Sequence, residues 1–109
     1  MRQGVELANQ LDADGNPSGG YVSGTGLRID WQDGPLGRDA DRQEPNGAFV
    51  EDVIYACVER IRFYNTTSEG KFACRQNSLA ITKLEEALMW LDNRTRERES
   101  RGVEGTHIP

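Results

Sequence analysis

Glu44-Pro45-Asn46-Gly47-Ala48-Phe49-Val50-Glu51-Asp52-Val53-Ile54 is where this chain changes character. Pro45 holds Glu44 extended. Asn46 is a good helix N-cap, and Glu51 and Asp52 fall at the positive end of a helix dipole. Val50, Val53, Ile54, Cys57, Ile61 and Tyr64 then recur at helical spacing, which predicts a helix from about Gly47 to Tyr64. Phe49, Val58 and Phe63 fall off that stripe and point to a second buried face, such as a subunit interface. Asn65-Thr66-Thr67-Ser68-Glu69-Gly70 reads as a short polar connection closed by glycine. Beyond it Asn77, Ile81, Leu84, Leu88 and Leu91 mark a second helix from about Phe72 to Arg101. A connection this short joins antiparallel neighbours, so the expectation is a helical hairpin whose longer second arm ends in arginines.

Upstream the punctuation is different. Nine of the twelve glycines precede residue 48, which makes that part a matter of strands and turns. Residues 4–11 suit a short edge strand, and 12–20 a turn or mobile loop. Asp12-Ala13-Asp14-Gly15-Asn16 has a faint likeness to a calcium loop but lacks its downstream ligands. In 21–32, Leu27, Ile29 and Trp31 point one way and Arg28, Asp30 and Gln32 the other, as in a half-buried strand. Its partner is either Tyr21-Val22 or the carboxy-terminal tail. Asp33-Gly34-Pro35 ends that strand, and a charged loop runs on to Glu44. The expected fold is α+β: a short antiparallel β element packed on a long antiparallel helical hairpin, in a symmetric oligomer. The expected organisation is one domain over 1–109, with a strand- and loop-rich part (1–44), the hairpin (45–102) and an extended tail (103–109).

Composition removes several functions. The chain has 109 residues, a formal charge of -5 and 36% hydrophobic residues; its pI is near 4.8 and its mean hydropathy -0.71. A chain this short buries a limited core, which favours self-association. An acidic chain lacks the net basic face that non-specific DNA binding needs. No run reaches the roughly 18 apolar residues of a membrane span, and residues 1–10 carry no apolar leader segment. Residues 1–52 hold four arginines against ten acidic groups, so any anion there must be held by a few placed arginines. Cys57 and Cys74 are expected inside helices as reduced, buried thiols. With one histidine, His107, no metal site is expected.

The groups with chemistry are mostly arginines. Arg94, Arg98 and Arg101 share a helical face, and the guanidinium fork matches phosphate. The same spacing also suits a solvated helix end. Arg38 and Arg42 lie in the charged loop beside Asp39, Asp41 and Glu44, which neutralise them or leave them for a ligand. Gly34 and Gly37 would let backbone amides approach an anion. Trp31, Phe49 and Phe72 offer a stacking face, although core packing suits Phe49 and Phe72 better. Asn77 interrupts an apolar stripe, so its amide must be bonded, either to a backbone carbonyl of the partner helix or to a base edge. Trp90 suits packing or an interface. Glu85 and Glu86 flank the Leu84–Leu88 stripe as solvated shoulders. No nucleophile has a convincing base, and no catalytic residue or cofactor is expected.

Three blocks, Trp31-Gln32-Asp33-Gly34-Pro35-Leu36-Gly37-Arg38, Glu44 to Glu51, and Arg98-Glu99-Ser100-Arg101-Gly102-Val103-Glu104-Gly105-Thr106, resemble the first type of phage Thoeris anti-defence protein. That family shares its helical hairpin with a type of anti-CBASS sponge. The resemblance covers roughly residues 27–107. It implies a nucleotide sponge in the host cytoplasm, binding glycocyclic ADP-ribose without cleaving it, in dimers or hexamers with pockets shared between subunits. Some members take cyclic trinucleotides at a separate site. The resemblance implies Arg38 or Arg42, Asn77 and Arg94 as ligand-binding positions, and Arg75 at the second site. With it, the ligand set becomes Trp31, Arg38, Arg42, Asn77, Arg94 and Arg98: arginines on pyrophosphate and ribose, Asn77 on the base or ribose edge, Trp31 as a wall. Two other readings stay open: a hairpin module that docks a host protein, and a small nucleotide hydrolase using helical carboxylates.

Overall fold

A computed structural model describes residues 3–109. The chain divides into two compact units: one holds the chain up to Phe49 together with Arg98–Pro109, the other Val50–Glu97.

The first unit is built on a three-stranded antiparallel sheet, β1 (Glu6–Leu11), β2 (Pro17–Gly24) and β3 (Leu27–Asp30), in that spatial order. Leu7 pairs with Val22 and Val22 with Ile29, so an apolar row crosses one face. Ala8, Tyr21 and Asp30 form the adjacent row on the other face, where the Arg28 guanidinium lies 4.7 Å from the centre of the Tyr21 ring. The expected edge strand and the pairing of Tyr21-Val22 with the strand before Trp31 are both present. The loop expected over 12–20 is shorter. Asp12 folds it by accepting backbone N–H bonds from Asp14 and Asn16, each 2.9 Å, and the chain re-enters the sheet at Pro17. The Gly19-Gly20 pair lies inside β2. Gly20 adopts φ 132, and a side chain there would collide with the Ala8 carbonyl, so glycine permits the strand pairing.

After β3 the chain is closed by two amide side chains. Gln32 Oε1 accepts from the backbone N–H of Asn46 at 2.8 Å and of Gly47 at 3.3 Å. Asn46 in turn accepts from the Asp33 N–H at 2.8 Å and donates to the Asp33 carbonyl at 3.0 Å. Trp31 pairs with Ala48 as an isolated parallel bridge. Asn46 is therefore engaged with the strand end rather than capping a helix, and α1 starts later than its spacing suggests, at Val50–Thr66.

The second unit is the hairpin of α1 and α2 (Arg75–Ser100), whose last turn from Arg98 belongs to the first unit. Within it, Arg62 bridges Glu59 at 2.9 Å and Glu85 on the opposite helix at 2.7 Å, and Asn65 donates to Ser78 at 3.3 Å. Asn77, Ile81, Leu84, Leu88 and Leu91 are all half-buried, as their spacing predicts. The α1 stripe is displaced. Val58, placed off the stripe by its spacing, is the one fully buried hydrophobic side chain among the described residues, at 2% exposure. Val50 and Tyr64 on the expected stripe are exposed, as is Phe63. Phe72, expected in the core, is also exposed. Both cysteines are free, as expected, but exposed rather than buried. Cys74 lies just outside α2, where its sulfur accepts the Asn77 N–H at 3.4 Å and caps the helix. The connection turns through Ser68 and Glu69 with φ of 50° and 57° before Gly70, a left-handed stretch unusual for side chains other than glycine. No helix among the described residues is long and apolar enough to cross a membrane.

Candidate anion site

Within the first unit, two of the sequence blocks that lie farthest apart in the chain meet. The Gly37 N–H donates to the Gly105 carbonyl at 2.9 Å. A side chain at Gly105 would strike the Gly37 carbonyl, and one at Gly37 (φ 85) would meet the Asp41 carbonyl at 2.7 Å. These glycines allow the loop and the tail to touch backbone to backbone. Arg42 spans the same junction. Its Nη1 donates to the Gly37 carbonyl at 3.3 Å and to both carboxylate oxygens of Glu104, at 3.2 and 2.9 Å. That hydrogen bond with Glu104 raises the pKa of Arg42 above its ordinary value, so the group stays a cation at every relevant pH. Arg38 is exposed, with Nη1 beside the backbone of Gly102, and its side chain makes no hydrogen bond or ion pair among the described residues. A short helical turn, Asp39–Asp41, separates the two arginines, and Asp39 takes φ 52 to enter it.

Arg98 has a different occupation. It is 8% exposed, and its guanidinium donates to the carbonyls of Ile108 at 2.6 Å, Thr106 at 3.1 Å and Val103 at 3.2 Å. Thr106 Oγ1 also donates to Val103 at 2.6 Å, and Arg101 reaches the Pro109 carbonyl at 2.9 Å. The tail is therefore wound around Arg98. Three of its five N–H donors are thereby engaged with carbonyls of the tail. Trp31 is half-buried in the same unit.

The remaining predicted residues belong to the second unit. Asn77 is half-buried and donates to the Phe72 carbonyl at 3.4 Å, a partner on its own segment rather than on the opposite helix. Arg75 and Arg94 are exposed, and neither side chain makes a hydrogen bond or ion pair among the described residues. Asn77 and Arg94 stand about 25 Å apart along α2 at 1.5 Å per residue. One small nucleotide cannot reach both within a single copy. Among the described residues no group of three or more His, Cys, Asp or Glu is arranged to hold a metal ion. Glu104 and the tail glycines escaped the sequence reading as functional parts. The signal was present in the spacing of Gly102 and Gly105 just beyond an arginine-rich helix end.

Comparison with known proteins adds two findings. One relative, "Thoeris anti-defense 1" of Bacillus phage SBSphiJ7, is 55% identical over 62 residues, which make up 57% of this chain and 42% of the relative. The match thus spans less than half of that relative's length. A family model described as "Acb2/Tad1, hairpin domain" matches residues 24–96, from the end of β2 through most of α2. This chain belongs to the Acb2/Tad1 hairpin-domain family.

Proposed function

We propose that this chain is a phage anti-defence sponge that sequesters a glycocyclic ADP-ribose immune signal in the host cytoplasm without cleaving it. The observation that carries the reading is the loop–tail junction: the structure ties the loop bearing Arg38 and Arg42 to the tail through Gly37, Gly105 and Glu104. Exposed arginines on a fixed backbone suit a pyrophosphate, and charge-assisted bonds favour the slow release that sequestration requires. Membership of the family and the printed name of the Bacillus phage relative support the anti-defence role.

In this reading Arg38, Arg42 and Arg94 take the phosphates and ribose, Asn77 reads the base or ribose edge, and Trp31 walls the pocket. Arg98 anchors the tail through three of its N–H groups and stays in the proposed ligand set through the others. Arg75 is the proposed contact for a cyclic trinucleotide at a second site. The separation of Asn77 from Arg94 calls for pockets that combine residues of two copies, in a dimer or a hexamer. Tyr55, Phe63, Met89 and Trp90 are each about half exposed or more, which supplies apolar surface for such contacts. Glu59 and Glu85, carboxylates a hydrolase would draw on, are both engaged by Arg62.

The test is calorimetric titration with glycocyclic ADP-ribose, followed by heating the complex and identifying what is released. Tight binding with intact ligand recovered supports the sponge. No heat of binding shifts the reading to a host-protein module, and a fragmented ligand shifts it to a hydrolase. Arg94→Ala is expected to weaken binding by about tenfold to a hundredfold while leaving the oligomer unchanged by sedimentation. Parent-like affinity in that variant would remove Arg94 from the site.

A further inference from the structure

We infer that Glu104 is a positioning residue for the anion site: it holds Arg42 by one corner so that the opposite edge of the guanidinium faces the ligand. The inference rests on the proposed reading that Arg42 contacts the nucleotide. The geometry behind it is specific. Among the described residues, all the hydrogen bonds of the Arg42 side chain run through Nη1, to the two Glu104 oxygens and to the Gly37 carbonyl. A carboxylate competing with phosphate for arginine would take the two-nitrogen edge formed by Nε and Nη2 or by both Nη atoms. Glu104 instead meets a single nitrogen, which leaves the Nε–Nη2 edge for a bidentate contact.

Glu104 is itself fixed. Its neighbour Gly105 accepts from Gly37, and Val103 and Thr106 on either side give their carbonyls to buried Arg98. The carboxylate is therefore carried on a backbone held at three points. The Glu104 side chain is also less exposed than that of Arg42, 30% against 43%, so the more sheltered partner is the one that orients the other. A flexible arginine loses rotamer entropy when it binds an anion, and pre-ordering it removes part of that cost.

The test uses the full chain with Glu104→Gln, Arg42→Ala and the double variant. Two quantities are read: affinity for glycocyclic ADP-ribose by calorimetry, and the order of the Arg42 Nε–H group by NMR relaxation in the free protein. Glu104→Gln is expected to weaken binding about tenfold and to loosen the Arg42 Nε–H, with the double variant binding no worse than Arg42→Ala alone. Glu104→Asp, which keeps the charge, is expected to recover part of the loss. Tighter binding by Glu104→Gln would make the carboxylate a competitor and overturn the inference. So would an Arg42 Nε–H of unchanged order, or a Glu104→Gln effect that persists in the Arg42→Ala background. A parent chain that binds no nucleotide, yet loosens Arg42 when Glu104 is changed, keeps the positioning role and overturns the sponge reading alone.

Discussion

The two units of this molecule are held together in opposite ways. The helical hairpin uses repetition: an apolar stripe along α2, Val58 as its one fully buried hydrophobic side chain among the described residues, and an arginine bridging two glutamates. The sheet, loop and tail use individual polar groups: Gln32 and Asn46 at the strand end, Asp12 in its turn, Arg98 inside the tail, and glycines where backbones meet. In the hairpin no single polar contact decides the fold. In the other unit several turns are held by one named side chain, and the exposed arginines of the loop lie there.

Removing Arg98 should break that contrast most visibly. Arg98→Met leaves three carbonyl oxygens without a buried donor, and about 3 kcal/mol of stability should be lost. Hydrogen exchange should show the tail and the Gly37 amide unprotected while the hairpin amides keep their protection. Uniform loss across both units would mean that they do not hold together independently. Val58→Ala tests the other side. It removes methyl groups from the one fully buried hydrophobic side chain among the described residues and should cost about 2 kcal/mol by chemical denaturation. Asn46→Ala removes two bonds to Asp33 and should cost about 1 kcal/mol, with exchange rising at Asp33 and not in α2. The smallest effect should come from Asp12. The backbone N–H bond from Asn16 lowers its pKa below the ordinary 3.8. On acidification the unfolded chain therefore takes up the proton first. The stabilisation is complete above 3.8 and is lost as the pH falls through the lower folded-state value. A pH series comparing the parent with Asp12→Asn should show the two converging at low pH.

The same contrast explains what was legible in the sequence. The hairpin was visible because periodicity repeats: the five positions from Asn77 to Leu91 each report the same face, and all are half-buried. Its details were less so. A stripe through Cys57 and Ile61 puts Val58 to one side, yet Val58 is the fully buried side chain of α1. Strand β3 and its pairing with Tyr21-Val22 were readable from alternation. The first half of β2 was not, because Gly19-Gly20 has the composition of a turn and serves instead as the place where a neighbouring carbonyl comes too close for any side chain. Asn46 had the right chemistry for a cap, but the Asp33 backbone, far from it in the chain, took its amide. For the candidate site, residue type was readable and residue surroundings were not. The arginines stood out by spacing. Only the geometry separates Arg98, wound into the tail, from Arg38 and Arg94, whose side chains make no hydrogen bond or ion pair among the described residues. Such assignments depend on contacts between distant parts of the chain, and helix or strand periodicity carries no information about them.

The pair between Arg42 and Glu104 joins positions 62 residues apart, and the whole hairpin lies inside the circuit it closes. Closing so long a circuit from an unfolded chain is entropically costly, whereas helices pair through contacts near in sequence and form early. Once the hairpin has formed, those intervening residues no longer contribute their own freedom to the closure. The anion loop is thus kinetically a dependant of the hairpin: in refolding, amides of α1 and α2 should become protected before those of Gly37 and Thr106. A change deep in the helices would then delay the moment at which the loop and the tail first meet.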